Sequence, residues 1–152
     1  MAVKAIPDGY HSVTPYVICK GAAKALDFYK AAFGATELMR HEMGGQIGHA
    51  EFKIGDSIVM LADEFPQMGA VSPKTLGGTP CGFCIYLPNV DAAVDKAVKA
   101  GCTVERPLTN QFYGDRSATL IDPFGHKWTL ATHIEDVSPE EMKKRMEAHS
   151  KQ

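Results

Sequence analysis

Apolar residues follow one another along the chain in two short patterns, one typical of strands and one typical of helices. A strand-like run at 13–19 precedes a segment whose apolar residues have the i, i+3, i+4 spacing of a helix with one buried face, namely Ala22, Ala25, Leu26, Tyr29, Ala32 and Phe33. Gly34 can end this helix because glycine adopts the left-handed cap conformation without strain. Short runs at 36–42, 45–54 and 57–62 then predict three antiparallel strands.

The second half of the chain repeats this order. A strand is predicted at 83–87, followed by a helix that Asp91 can cap and that Gly101 ends. Runs at 102–106, 115–121 and 126–132 predict three further strands. Gly101 lies 67 positions after Gly34, and Thr129 lies 69 positions after Met60, so the two halves have nearly the same spacing.

The pattern therefore predicts an α+β protein built from two paired βαβββ modules, at 10–64 and 81–134, within a single domain spanning 1–152. The stretch 63–80 between them is rich in proline and glycine and lacks periodicity, which favours a linker and leaves a lid open as the alternative. A capping box at Ser138, with Pro139 at the first helical position, predicts a C-terminal helix over 138–150. Its thin apolar face, Met142 and Met146, is typical of a helix lying on its own domain or on a partner chain.

Composition excludes several classes of protein. Of 152 residues, 45% are hydrophobic and 22% charged, which is typical of a globular protein with a core. The net charge is −2 and no basic cluster exceeds Lys143-Lys144-Arg145, so a nucleic-acid partner is not expected. The sequence shows no apolar run of spanning length and no signal-like start, so we expect a cytoplasmic protein that makes no membrane contact, with its four cysteines reduced.

Several short motifs resemble one known group of proteins. They are the two βαβββ modules, Asp27-Phe28-Tyr29 before Phe33-Gly34, His49-Ala50-Glu51, Gly114-Asp115-Arg116 and Asp122-Pro123-Phe124-Gly125-His126-Lys127-Trp128. Over about residues 8–138 the chain resembles the vicinal oxygen chelate superfamily, which includes glyoxalase I, bleomycin-resistance proteins and extradiol dioxygenases, and within it the PhnB-like, glyoxalase-related branch. The resemblance implies a homodimer in which two curved modules enclose a cleft for a small organic molecule.

The resemblance also implies a metal site in the metal-dependent members, where a divalent ion binds two neighbouring substrate oxygens and stabilises an anion such as an enediolate. Such members place one ligand, usually His or Glu, on the first and on the last strand of each module. The matching positions in this sequence are Thr14, Met60, Gly82 and Thr129. None is a strong ligand for Zn, Ni, Fe or Mn, so we predict no metal cofactor and expect Thr14, Met60 and Thr129 to contact a ligand directly.

Three histidines lie near these positions. Because side chains alternate along a strand, His11 and His126, each three residues from a matched position, are expected to point away from the cleft. His133 lies four residues after Thr129 and is expected on the cleft side, at the end of its strand.

His49 and Glu51 are the candidate catalytic residues. Their spacing of two places them on one face of a strand, where they would form a general acid/base pair, half of a metal site, or only a structural hydrogen bond.

Three further side chains are candidates for ligand binding. Tyr113 and Arg116 flank the entry to a strand, and the guanidinium could hold an anionic group through two hydrogen bonds or instead form an ion pair. Trp128 suits either a ligand wall or the core.

These observations leave two functions open. The first is a protein that binds a small organic molecule without the usual metal, as the bleomycin-resistance members sequester a drug. The alternative is a metal-dependent glyoxalase-type lyase or isomerase, or a dioxygenase, with displaced ligands such as His49, Glu51 and His133. Whether the protein is an enzyme is not decided by the sequence.

Overall fold

The computed structural model describes residues 2–152 of the chain. Contacts between backbone positions divide it into two compact units, of which the first ends at Pro80 and the second comprises Cys81–Gln152. Each unit contains one four-stranded sheet and one long helix between its first two strands, so the predicted α+β class and the duplicated βαβββ order are confirmed.

The first unit consists, in chain order, of β1 (Tyr16–Cys19), α1 (Ala22–Phe33), β2 (Thr36–Met43), β3 (Gln46–Ile54), β4 (Ser57–Asp63) and the four-residue helix α2 (Pro73–Leu76). Its strands are ordered β1-β4-β3-β2, with β1 parallel to β4 and the other pairs antiparallel. The left-handed Gly34 ends α1, as the sequence predicts.

The second unit repeats this arrangement with β5 (Gly82–Tyr86), α3 (Val90–Ala100), β6 (Thr103–Asn110), β7 (Asp115–Ile121), β8 (Lys127–His133) and the C-terminal helix α4 (Pro139–His149). The strand order is β5-β8-β7-β6, and again the first and last strands are parallel. The Ser138 hydroxyl accepts a hydrogen bond from the backbone N–H of Glu141 and so caps α4.

The core of the first unit lies between α1 and one side of its sheet. The rings of Tyr29 and Phe52 stack there with centroids 5.0 Å apart, and Phe52 is the strand partner of Val59. Alternate strand residues face the other side, which we call the open face of the first unit.

The second unit has a matching core under α3. Ala118 pairs with Leu130 and Leu120 pairs with Trp128, and all four side chains are buried. Trp128 is only 2% exposed, and its indole N–H donates to the Asp122 carboxylate at 2.9 Å. Of the two alternatives for Trp128, the contacts fit the core; its side chain belongs to the packed side of the sheet.

A side chain near the end of the last strand holds the start of the long helix in both units. In the first unit the Asp63 carboxylate accepts from the backbone N–H groups of Gly21 and Ala22, at 3.0 and 2.8 Å. In the second, the Thr132 hydroxyl accepts from Val90 N–H at 3.0 Å. Thr132 follows Asp63 by 69 positions, the offset that separates Met60 from Thr129, so the duplication extends to helix capping.

Four details differ from the sequence prediction. Strand β1 begins at Tyr16 instead of residue 13, since Pro15 has no N–H to donate, and this leaves Thr14 outside the strand. Asn89, not Asp91, caps α3 through its side-chain oxygen, which accepts from Ala92 N–H. Strand β6 is longer than predicted, because an edge strand tolerates a proline such as Pro107.

The fourth difference concerns the stretch between the predicted modules. It is not without structure: it contains a 3₁₀ turn (Pro66–Met68) and α2, and the fully buried Ser72 caps α2. Glu64 accepts a hydrogen bond from Ser72 N–H at 2.8 Å, and its hydrogen bonds with Ser72 and Thr75 lower its pKa to about 2. These local hydrogen bonds give the segment a defined structure, and it lies within the first unit.

Cys19 and Cys102 are buried and Cys81 and Cys84 are exposed, and none of the four is part of a disulfide. Within residues 2–152, no helix has the length and apolar character needed to cross a bilayer.

Candidate functional site

One row of side chains crosses the open face of the first unit from edge to edge. Tyr16 on β1 is the register partner of Met60 on β4, which faces Glu51 on β3, which faces Met39 on β2. Met60, a predicted ligand contact, therefore lies beside Glu51, a predicted catalytic candidate. Thr14 precedes the strand, so Tyr16 occupies the register position beside Met60.

A hydrogen-bonded group of four side chains surrounds this row, and we call it the Tyr-His-Glu cluster: Tyr10, Tyr16, His49 and Glu51. The Tyr16 hydroxyl lies 2.8 Å from His49 Nδ1, and His49 Nε2 lies 3.1 Å from Glu51 Oε1. The Tyr10 hydroxyl donates to the other Glu51 oxygen. The structure thus brings His49 and Glu51 together on one face, while their catalytic role stays a prediction.

The hydrogen-bond partners determine where the proton of the His49 ring lies. Glu51 accepts from Tyr10 at one oxygen and, as a carboxylate, accepts at the other oxygen as well. Nε2 of a neutral His49 therefore carries the hydrogen and donates to Glu51, which leaves Nδ1 as the acceptor for the Tyr16 hydroxyl. Every polar atom of the chain Tyr16, His49, Glu51 then has a partner.

Exposure rises along this chain of hydrogen bonds. Glu51 is 6% exposed, the His49 side chain 29% and Tyr16 49%. Burial, and after it the charge of Glu51, raises the pKa of Tyr16, and the hydrogen bond to Glu51 raises the pKa of Tyr10. Both phenols therefore keep their protons at neutral pH, and Tyr16 presents a protonated hydroxyl to solvent.

The corresponding row of the second unit is chemically different. Cys84 on β5 pairs with Thr129 on β8, which faces Thr119 on β7. The Thr129 and Thr119 hydroxyls lie 3.1 Å apart and hydrogen-bond to each other. At the position of Glu51 this row therefore has the neutral hydroxyl of Thr119, and Arg106 on β6 is the next register partner.

A second polar cluster lies further along the same strands, two residues away on β5 and four residues away on β7 and β8. The Asp115 carboxylate accepts from the Tyr86 hydroxyl at 2.7 Å and contacts His133 Nδ1 at 2.7 Å, while His133 Nε2 lies 2.9 Å from Asp136. The hydrogen bond to Asp115, and after it the one to Asp136, raises the pKa of His133. The hydrogen bond to Asp115 raises the pKa of Tyr86 to about 12.

Two other predicted residues lie elsewhere. Arg116 follows Asp115 on β7, so its side chain lies on the opposite face of the strand and extends toward α3. There its guanidinium binds the Asp91 carboxylate at 2.8 and 2.9 Å and also donates to Asn110. These contacts are those of the ion-pair alternative, and anchoring of a ligand by Arg116 stays a prediction. Tyr113 is 41% exposed in the turn before β7, next to the Phe112 ring.

The alternative histidines lie apart from the open-face row as well. His11 is exposed ahead of β1, and His126 is buried beside the Phe83 ring with centroids 6.4 Å apart.

Sequence reasoning missed both tyrosines of the cluster. The sequence contains a signal for Tyr16, because this residue lies in the predicted strand two positions after Thr14 and therefore on the same face. Tyr10 has none, since it precedes every predicted element and meets Glu51 from 41 positions away.

The donor set of each unit does not fit the divalent ion that the resemblance implies. Among the described residues, no three His, Cys, Asp or Glu side chains are grouped so as to hold a metal ion. The strong donors of the first open face, His49 and Glu51, are hydrogen-bonded to each other and to the two tyrosines. The implied positions Met60 and Thr129 carry a thioether and a neutral hydroxyl, which are poor ligands for such ions.

Comparison with known proteins places this architecture in a family. The model of the Glyoxalase/Bleomycin resistance protein/Dioxygenase superfamily matches residues 10–130. The chain belongs to this superfamily. The predicted membership in the wider group is thereby confirmed, and the narrower PhnB-like assignment stays a prediction.

Relatives within this superfamily include two mycobacterial sequences. An uncharacterized protein of Mycobacterium bovis is 38% identical over 139 residues, which are 89% of this chain and 91% of that protein. An uncharacterized protein of Mycobacterium tuberculosis strain H37Rv is also 38% identical, over 89% of this chain and 82% of its own length.

Solved structures share the fold of this superfamily protein. TioX from Micromonospora sp. ML1 has a TM-score of 0.63 at 22% identity, covering 84% of this chain and all (100%) of TioX. A gene product of Arabidopsis thaliana has a TM-score of 0.65 at 25% identity, covering 80% and 98% of the two chains. The fosfomycin resistance protein FosX from Listeria monocytogenes, in complex with Mn(II) and dihydroxypropylphosphonic acid, has a TM-score of 0.62 at 17% identity, covering 88% and 94%.

Proposed function

We propose that this superfamily protein binds a small organic molecule on the open face of its first unit, beside the Tyr-His-Glu cluster, without the divalent ion of metal-dependent members. One observation carries the proposal: the row Tyr16, Met60, Glu51, Met39 combines an exposed phenol and two thioethers with a buried carboxylate whose oxygens are already engaged. Such a row offers contact area and hydrogen bonds, but no free metal ligand.

The chemistry of the row indicates the class of ligand. Met60 and Met39 supply adaptable apolar surface, and the Tyr16 and His49 rings, with centroids 5.5 Å apart, supply aromatic surface. The Tyr16 hydrogen is directed to His49, so the lone pairs of the phenol accept from a ligand donor. The negative charge of Glu51 opposes an anion nearby. We therefore expect a neutral or cationic molecule with an apolar or aromatic body and a hydroxyl or amine group.

Ligand-observed NMR tests the proposal with two sets of probes, aromatic amines and phenols in one and organic phosphonates in the other. We expect amines or phenols to bind the wild-type protein. Tyr16→Ala and Met60→Ala should each abolish this binding, whereas His149→Ala, an exposed change on α4, should leave it intact. Binding of the phosphonates alone, or binding that survives both open-face substitutions, would refute the proposed site.

The second candidate is the metal-dependent lyase, isomerase or dioxygenase. It is favoured by the contact between two strong donors, His49 and Glu51, on one face, together with the superfamily membership. Elemental analysis of protein purified without chelators separates the two functions. We expect well under one equivalent of Mn, Fe, Ni or Zn per chain; a full equivalent that is lost in Glu51→Gln would establish the metal-dependent function instead.

A further inference from the structure

The hydrogen bonds of the Tyr-His-Glu cluster form a continuous path that joins a solvent-exposed phenol, through one imidazole ring, to a buried carboxylate. The path begins at the half-exposed Tyr16, passes through both nitrogens of His49 and ends at Glu51. We propose that this path is a general-base relay: Tyr16 removes a proton from an activated C–H group of the bound molecule while its own proton passes to His49. The inference rests on the proposed binding function and adds a reaction to it.

The geometry matches what a relay needs. The Tyr16 hydroxyl is 2.8 Å from His49 Nδ1, within the range for proton transfer between a hydroxyl and a base. Glu51, 3.1 Å from the opposite nitrogen, holds the ring in the tautomer whose Nδ1 lone pair faces Tyr16. Tyr10 holds the second oxygen of Glu51, so the carboxylate cannot rotate away without breaking a hydrogen bond.

The step balances without any further reactant. The C–H bond of the substrate breaks, a new O–H bond forms at Tyr16, and the original hydroxyl proton forms an N–H bond at His49 Nδ1. The electron pair stays on the substrate as a stabilised carbanion or leaves with a departing group. The resulting imidazolium lies against the Glu51 carboxylate, which lowers the energy of the charged state. Met60 and Met39, in the same row, provide the apolar surroundings that suit a carbon acid.

The polar cluster of the second unit, around His133, is not arranged for the same proton relay as the Tyr-His-Glu cluster. Both ring nitrogens of His133 contact carboxylates, Asp115 at 2.7 Å and Asp136 at 2.9 Å. These contacts stabilise the protonated ring, and a protonated ring has no lone pair with which to accept a proton. His49 contacts one carboxylate and one hydroxyl, so it keeps an acceptor nitrogen directed at Tyr16.

A reaction that needs only a base tests the relay. Removal of the ring C–H proton of 5-nitrobenzisoxazole breaks its N–O bond and releases a coloured nitrophenolate, so the full-length protein can be assayed by absorbance. We expect His49→Ala to lower kcat/KM at least about 100-fold, the range that a positioned base contributes, with added imidazole restoring part of the loss. Tyr16→Phe keeps the ring but removes the transferable proton, and we expect a loss of about 10-fold or more in kcat.

Glu51 is a positioning residue, so its test needs a readout that a change in folding would not mimic. Glu51→Gln is expected to lower kcat about 10-fold or more with KM unchanged, and ¹⁵N NMR of His49 should show that the Nε2–H tautomer is no longer favoured. His149→Ala, which removes an exposed imidazole outside the cluster, serves as the matched control and is expected to retain the full rate.

Two results would overturn the relay. Full activity of His49→Ala would show that another base acts, and full or increased activity of Tyr16→Phe would show that His49 acts directly. Binding of 5-nitroindole, which cannot undergo the elimination, separates this failure from failure of the binding function. If 5-nitroindole binds in a Tyr16-dependent way and elimination is nevertheless independent of His49, binding stands and the relay is wrong; if neither depends on the cluster, both proposals are wrong.

Discussion

The sharpest structural prediction concerns Asp63, the buried carboxylate at the end of β4. Its Oδ1 accepts from Gly21 N–H at 3.0 Å and Ala22 N–H at 2.8 Å, and its Oδ2 accepts from Ile47 N–H at 2.7 Å. One side chain thus joins the start of α1 and the start of β3 to the parallel strand pair. Asp63→Ala leaves three backbone donors without this partner.

The expected cost follows from these contacts. A hydrogen bond to a charged group contributes about 1.5–3 kcal/mol, and contributions from one shared acceptor are not additive, so Asp63→Ala should lower the free energy of unfolding by about 3–5 kcal/mol. Asp63→Asn can keep the two bonds at one oxygen but turns an N–H₂ group toward Ile47 N–H. We expect it to cost about 2 kcal/mol, since one bond is lost and two donors face each other.

Urea unfolding followed by circular dichroism measures this loss, and hydrogen exchange at residues 21–22 and 47 locates it. The matched control is Asp56→Ala in the exposed turn between β3 and β4, where the carboxylate accepts a hydrogen bond from the neighbouring Ser57 hydroxyl, and a change within about 0.5 kcal/mol is expected. Asp63→Ala within about 1 kcal/mol of the wild type, with exchange at 21–22 unaltered, would refute the capping role.

Three further predictions concern the second unit. Contacts with Asp115 and Asp136 raise the pKa of His133 above its usual 6.5, so the stability that these contacts contribute is complete below pH 6.5 and is lost as the pH rises through the higher value of the folded protein. Trp fluorescence during urea unfolding should therefore show stability falling as the pH rises above 6.5, and His133→Asn should reduce that fall. Gly114 has φ +102° and a Cβ there would collide with a backbone carbonyl, so Gly114→Ala should cost about 2–4 kcal/mol in the same assay; an unchanged midpoint would contradict the observed turn. Arg116→Ala tests the predicted ligand anchor in NMR titrations. Because the guanidinium binds Asp91 on the α3 side, we expect binding of the amine or phenol probes to be unchanged, and weakened binding would support anchoring by Arg116.

The order of strands and helices could be predicted because its signals are local. Alternation with a period of two and apolar spacing of three and four residues are properties of neighbouring positions, and glycine at residue 34 ends α1 for a purely local steric reason. The placement of His49 and Glu51 on one face also follows from their spacing alone. The cap of α3 differs from the prediction, because Asn89 takes the place of Asp91, whose carboxylate binds the Arg116 guanidinium from 25 positions away.

The composition of the candidate site was decided by tertiary structure. Tyr10 reaches Glu51 from 41 positions away, and Tyr16 reaches His49 from 33, which no local pattern specifies. Strand register, fixed by burial of one face of each sheet against its helix, placed Tyr16 beside Met60. The sequence alone therefore determined that two βαβββ units form and which faces their strands present. Which distant side chains meet on those faces depended on how the strands pair, because pairing minimises exposed apolar surface over the whole unit rather than within any one segment.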